Sequence, residues 1–368
     1  PMGPVVFYMQ AFFNSIFGNN IISMALFGFF LSIIICIPFY YIVRKEFGIL
    51  MSFLFAFFLY LSFQGLAFYV YYNFLPYFFL FINIFILYFY SKEDSFHDHL
   101  PRNVYLINAL LIALAFYTKQ DIGLFSLAMI LIYFIYNYPK DWKSILFFYI
   151  LPSAVLFIGT FFLLYQIPNF STHFILSQHN SRLNEFLNPT KIVNTFESWV
   201  TYFIAIFALM VIFIRKSLVI KNKIRVMSLF LIIGVVTVVA NITSGSARQH
   251  TVMGIPIMIF FLWILVKDYI PDLIKNHKIS INIILILILL WSVNPIPTYG
   301  LITLNYLNPN IGHISEGCYK NYLMSNDNLI GLEKIREIIE ENNKSFISMT
   351  EYSFLYCDYK INPPKNVP

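Results

Sequence analysis

Charge is the scarcest commodity in this chain. Asp, Glu, Lys and Arg together make 11% of 368 residues, where an ordinary soluble domain carries roughly 25%. So few charges cannot cover a water-facing surface, which excludes a soluble globular fold. Cysteine is scarce as well, with three residues and no CxxC pair, so zinc spacing is absent. Cys36 lies in an apolar run. Cys318 and Cys357 lie near the C-terminus, where one disulfide and two free thiols both stay open. The opening residues lack the basic region and small-residue cleavage site of a signal peptide. There is no nucleophile elbow, P-loop or dinucleotide-binding fingerprint. The first twenty residues contain neither Asp nor Glu.

Apolar matter fills the space that charge leaves. Hydrophobic residues make 59% of the chain and aromatics 20%. A membrane span needs about 20 apolar residues. Such runs fall near 21–43, 48–64, 74–91, 103–118, 122–137, 146–166, 200–214, 227–241, 253–267 and 281–296. The expected fold class is therefore an all-α polytopic membrane protein with about ten transmembrane helices.

The loops between these runs differ in charge. One set holds Arg44, Lys45, Lys92, Arg102, Lys140, Lys143, Arg215, Lys216, Lys221, Lys223, Arg225, Lys267, Lys275 and Lys278. The other holds only Lys119, Arg182, Lys191 and Arg248 before the tail. Excess Lys and Arg marks the cytoplasmic side. The second set and both termini are then extracytoplasmic, in a multi-pass protein of the plasma (inner) membrane. The net charge of +6 is spread over these clusters and forms no basic face, so nucleic acid is not expected as a partner.

Residues 1–20 carry Val5, Val6, Met9, Phe12, Phe13, Ile16 and Phe17 at helical spacing and read as an interfacial outer helix. Residues 21–299 form the transmembrane domain. Residues 300–368 change composition and read as a small αβ extracytoplasmic tail, the start of a soluble domain. There Asn326 or Asp327 caps a helix with an apolar face of Leu329, Ile330, Leu332, Ile335, Ile338 and Ile339 and a polar face of Glu333, Lys334, Arg336 and Glu337. Ser345–Met349 and Tyr352–Tyr356 read as short strands.

Polar residues at or near membrane depth usually mark function, and three clusters stand on the side with few cations. Thr118-Lys119-Gln120-Asp121 occupies a tight turn between two spans. A Lys ammonium there suits a phosphate, and the amide and carboxylate suit hydroxyls; a plain polar turn with a Lys–Asp pair is the simpler alternative. The loop 167–199 holds His173, His179, Arg182, Glu185 and Glu197. It is longer than a connection needs, and its spacings match no metal site. The third cluster, Ser244–His250, brings Arg248 and His250 to the start of a span, where they suit an anionic head group or serve as interfacial anchors. Asn241-Ile242-Thr243 matches a glycosylation sequon too close to the membrane to use.

Taken in order, these features resemble the GT-C superfamily of membrane glycosyltransferases, in its branch of protein O-mannosyltransferases and the lipid A aminoarabinose transferase. Pro1-Met2-Gly3-Pro4 with Tyr8, then Phe17-Gly18, looks like the branch's P-x-G-P-x-x-x-Y…F-G stretch. Ala113–Leu124 looks like its L-A-x-x-T-K-x-x-x-G-L span junction. Arg248 and His250 ahead of Pro256 look like its late R-x-H segment, and Tyr356…Pro363-Pro364 like the start of its outer domain. The likeness spans nearly the whole chain, through motifs that are each short.

The resemblance implies transfer of a sugar from a polyprenyl-phosphate donor to a lipid, glycan or protein acceptor on the outer face. It implies Lys119, Gln120, Asp121, Arg248, His250, His179 and Arg182 as substrate-binding residues. No cofactor follows from it, and a divalent cation stays open, since a metal assists in some branches only. The family's catalytic acid belongs to an outer loop after its first span, and here that span and loop have no counterpart. The expectation is an acid upstream of Pro1, with Asp121 as substitute. Three other functions compete: a transporter or flippase for a lipid-linked glycan, a glycan polymerase or ligase, and a non-catalytic membrane subunit. A flippase would place charges deep inside spans, and the span centres here are nearly free of them. A glycan polymerase or ligase would carry several Arg in its outer loop, where only Arg182 stands.

Overall fold

A computed structural model describes residues 4–17, 21–67, 71–92, 99–165, 221–244, 249–267, 278–293, 311–313 and 323–341. The described residues are mostly helical. In order come α1 (Pro4–Phe17), α2 (Ile21–Arg44), α3 (Ile49–Ala67), α4 (Tyr71–Lys92), α5 (Arg102–Phe116) and α6 (Gln120–Asn137). A 3-10 turn at Pro139–Asp141 leads into α7 (Trp142–Ile145), a π turn at Leu146–Ile150 and α8 (Leu151–Tyr165). Then follow α9 (Lys221–Ser244), α10 (Gln249–Val266), α11 (Lys278–Val293), strands β1 (Ile311–His313) and β2 (Leu323–Ser325), and α12 (Asn326–Glu341).

Among the described residues four stretches are long and apolar enough to cross a membrane: Leu26–Arg44, Phe74–Ser91, Gln120–Asn137 and Pro139–Phe162. Five shorter apolar helices accompany them among the described residues, at Ile49–Ser62, Arg102–Phe116, Arg225–Thr237, Met253–Leu265 and Ile279–Leu290. The run read at 200–214 lies outside the described residues. The helices carry apolar side chains on every side, which is how a helix between lipid and protein is built. α2 shows the pattern: Phe27, Ile35, Phe39 and Val43 are buried, while Phe30, Ile34, Ile37 and Tyr41 are exposed. Several hydroxyls inside the helices are satisfied locally, as apolar surroundings favour. Ser52 donates to Gly48 O, Ser62 to Leu59 O, Ser91 to Tyr88 O and Thr237 to Ile233 O.

The chain divides into two compact units, Pro1–Tyr8 with Phe29–Ile296, and Met9–Gly28 with Pro297–Pro368. In the first, α4 packs on α5, α5 on α6, α6 on α9, α9 on α10 and α10 on α3. Aromatic rings fill its centre. Phe39 stacks on Phe85 with centroids 5.8 Å apart and meets Phe260 edge-on, and Tyr88 lies against Phe260 and Phe261. Such pairs contribute about 0.5–1.5 kcal/mol each beyond area burial. At α9–α10 the helices approach closely through Gly254, where an added Cβ would stand 2.7 Å from Ile233 Cγ2.

In the second unit Phe13 meets Phe27 at 4.7 Å. β1 and β2 pair antiparallel with Ile311 opposite Ser325, and α12 packs on both strands. Its buried residues Leu332 and Ile339 are seven apart and so share one face, while Glu333, Lys334 and Glu337 are exposed; Ile330 and Ile338, read as part of the apolar face, are exposed as well, so that face is narrower than expected. The strands read at 345–349 and 352–356 lie outside the described residues.

Candidate functional site

The candidate site is the turn that joins α5 to α6. Thr118 N and Lys119 N both donate to Ala115 O, at 3.2 and 2.8 Å, which closes the end of α5. The Thr118 hydroxyl turns back to Leu114 O at 2.7 Å. Lys119 is extended, with φ −151° and ψ 113°, and stands at the N-cap of α6. Its carbonyl accepts from Gly123 N at 3.0 Å. Asp121 Oδ1 accepts from Ile122 N at 2.9 Å, so a carboxylate sits at the helix N-terminus, where the dipole favours it.

Gly123 makes this turn possible. An added Cβ would lie 2.2 Å from Phe116 Cα and 2.4 Å from Phe116 N. Only a residue without a side chain lets α6 start so close to the backbone of α5. The small position in the junction read from the sequence therefore has a steric cause.

Burial makes the Lys unusual. Lys119 is 3% exposed, and a buried ammonium requires a countercharge. Asp121 Oδ2 provides one 3.9 Å from Nζ, balancing charge across a gap longer than a hydrogen bond. Tyr77 of α4 lies within electrostatic reach of the same carboxylate. Tyr117 donates through its hydroxyl to Phe157 O, and its carbonyl accepts from Val5 N at 3.4 Å, which seats the start of α1 against the turn. Phe116, Tyr117, Phe157 and Val5 form the apolar surround. Gln120, between the two charged residues, is half-buried.

His250 lies in the first turn of α10. The packing puts that turn at the same end of the bundle. The Asn137 amide donates to Ser228 Oγ at 3.4 Å, so α9 starts where α6 ends and runs back antiparallel to it. α10 then starts at the Lys119 end and finishes at Lys267, which pairs with Glu46 between α2 and α3. Arg248, His179 and Arg182 lie outside the described residues. A divalent cation requires several oxygen ligands. The described part of the site offers one carboxylate that already faces Lys119. Among the described residues no three of His, Cys, Asp and Glu gather as a ligand set.

The opposite end holds a cluster that sequence reasoning missed. Asp141, 8% exposed, accepts from His99 Nδ1 at 2.7 Å, from Leu100 N at 2.9 Å and from the Tyr105 hydroxyl at 2.9 Å. Arg225, fully buried, lies over the Tyr138 ring at 4.6 Å. Burial pushes the Tyr138 phenol up, and the Arg225 guanidinium pulls it part of the way back. Arg225 is thus more than an orientation signal. The available clue was Asp141 itself, an acid among Lys140, Lys143 and Arg102.

No curated protein and no solved structure matches the chain. Residues 1–172 match the family described as dolichyl-phosphate-mannose-protein mannosyltransferase. The matched segment includes α1 to α8 and the whole α5–α6 turn. That match covers less than half of the chain, and over those residues it agrees with the resemblance to the GT-C superfamily of membrane glycosyltransferases.

Proposed function

We propose that this protein transfers a sugar from a polyprenyl-phosphate donor to a lipid, glycan or protein acceptor, on the outer face of a membrane that it crosses about ten times. The observation that carries the reading is Lys119, a buried cation held at a glycine-dependent turn inside the segment that matches the mannosyltransferase family. The basic loops at the other end of the bundle support this orientation, because Lys and Arg accumulate on the cytoplasmic side.

In the transfer, the acceptor hydroxyl oxygen bonds to the anomeric carbon. The bond from that carbon to the donor phosphate oxygen breaks, and the polyprenyl phosphate leaves with the electron pair. Lys119 and Arg248 hold that phosphate and stabilise the negative charge growing on it. Such preorganised charges act strongly in a dry site, removal of one typically costing about 100- to 1000-fold in rate. Gln120, Asp121 and His250 line the sugar pocket, with His179 and Arg182 contributing from the long loop. Among the described residues Asp121, the carboxylate facing Lys119, is our candidate to take the acceptor proton.

The charge distribution supports transfer over alternating access. The buried charged residues among those described are Lys119, Asp141 and Arg225, all at helix ends and none at the middle of a span. The test is transfer from a polyprenyl-phosphate hexose by the full chain in vesicles. Lys119→Ala and Arg248→Ala insert normally and lose about 100-fold or more of transfer, while Lys119→Arg retains part of it. Wild-type turnover in both alanine variants refutes the assignment. Movement of a lipid-linked glycan across the vesicle without transfer supports the transporter instead.

A further inference from the structure

We infer that the seam between α4, α5 and α6 binds internal water at mid-depth, through the side chains of Asn83, Asn108 and Ser126. Three observations converge on it.

The first is a set of buried polar atoms that the protein itself leaves unbonded. Asn83 interrupts the apolar stretch Phe78–Leu87, and Asn108 and Ser126 stand in similar surroundings. All three are 0% exposed. Among the described residues neither end of the Asn83 amide has a hydrogen-bond partner, and neither has Asn108 Oδ1 or Ser126 Oγ. The Asn108 amide is held by its other end, where Nδ2 donates to Val104 O at 2.8 Å. The hydroxyls of Ser62, Ser91 and Thr237 donate to carbonyls of their own helices, and that of Ser126 does not. Bulk water does not reach such groups inside a membrane, and a buried polar atom without a partner is costly.

The second is where the three stand. α4 packs on α5, α5 on α6 and α4 on α6, so the three helices share a seam. Each residue lies within three positions of the middle of its helix, or about 5 Å along the axis. Phe116 against Gly123 and Tyr105 against Phe134 set α5 and α6 antiparallel. Asn108 stands eight residues before Phe116, and Ser126 stands three after Gly123. Their levels therefore differ by five residues, about 7.5 Å of rise. Two waters in series cover that span at about 2.8 Å per hydrogen bond.

The third is the chemistry of the groups. Amides and hydroxyls both donate and accept, as water does. Buried water makes about three hydrogen bonds to groups that would otherwise go unsatisfied, and Asn83, Asn108 and Ser126 supply them from three helices. All three side chains are neutral, so they offer no charge to balance an ion.

The experiment is radiolytic hydroxyl-radical footprinting of the full chain in neutral detergent, read by mass spectrometry. A brief X-ray pulse splits water where it lies, so a buried side chain is oxidised where bound water touches it. The reporter is Ile112→Met. Ile112 is 0% exposed, stands one turn from Asn108 on the same face, and takes a thioether of similar volume that oxidises readily. Met258, 1% exposed at the α9–α10 contact, is the dry control. The reporter in I112M is expected to oxidise faster than Met258. Adding N83L/N108L/S126A removes that excess. Equal rates at the reporter and Met258 overturn the site. So does an excess that survives the three substitutions, which would place the water elsewhere. Should the combined variant fail to fold, Asn83→Leu, Asn108→Leu and Ser126→Ala are added to I112M singly. A lower excess in each supports the site, and an unchanged excess in all three overturns it.

Discussion

Replacing Gly123 by Ala drives a methyl group into the backbone of the preceding helix. The added carbon would lie 2.2 Å from Phe116 Cα, 2.4 Å from Phe116 N and 2.6 Å from Phe116 Cβ. Comfortable carbon contacts lie at about 3.5–4.0 Å, so α5 and α6 must separate by roughly 1.5 Å. No rotamer relieves the clash, because two of the three atoms are main chain. Overpacking costs about 1–3 kcal/mol, and the higher helix propensity of Ala returns up to about 1 kcal/mol. The net loss of stability is therefore small, about 1–2 kcal/mol. The effect on function is larger, because Gly123 N anchors to Lys119 O, and a shift of the turn carries the Lys119 ammonium with it. A displacement of about 1 Å at a reacting site costs on the order of 100-fold in rate. The expected pattern is a detergent-solubilised variant that unfolds a few degrees early and has lost nearly all transfer. Equal thermal stability and equal transfer in Gly123→Ala and wild type would refute both the close approach and the role of the turn.

Four further outcomes follow from the packing. Asp141→Ala removes the acceptor of Leu100 N and Tyr105. Each donor left without a partner costs about 1–3 kcal/mol, so thermal unfolding should show a loss of about 2–5 kcal/mol, partly recovered when Tyr105→Phe is added. His99→Ala, on an exposed side chain, should cost less than about 1 kcal/mol in the same assay. The Glu46–Lys267 pair joins the α2–α3 connection to the end of α10. It is partly exposed, so Lys267→Met should cost about 1 kcal/mol, and the exchange E46K/K267E should restore most of that. At α9–α10, Gly254→Ala meets only the Ile233 side chain. It should destabilise by about 1–2 kcal/mol, and less in an Ile233→Ala background; additive losses there would argue against that contact.

The legible features of this protein were those written in short stretches of chain. The apolar runs predict helices, and helices occupy every run that falls on described residues. The turn at Thr118–Asp121 was visible because four polar residues interrupt two such runs without a loop. The structure adds that Lys119 is buried and paired there. The Asp141 cluster was illegible because its members, His99, Leu100, Tyr105 and Asp141, come from two connections far apart in sequence. Arg225 looked like one more cytoplasmic cation, and only packing set it under cover on the Tyr138 ring.

By itself the sequence determined that this chain lies in a membrane, because 11% charge cannot clothe a water-soluble body and the apolar runs are long enough to span. It also determined which loops carry the cations, and that a Lys, an amide and a carboxylate stand together at one turn. The tertiary structure alone decided which helix ends meet. Periodicity says how a helix is clothed but not which neighbour it takes, because in lipid every apolar face is equally satisfied by acyl chains or by another helix. Close approaches at Gly123 and Gly254, ring packing around Phe39 and Phe260, and the clasp on Asp141 made that choice.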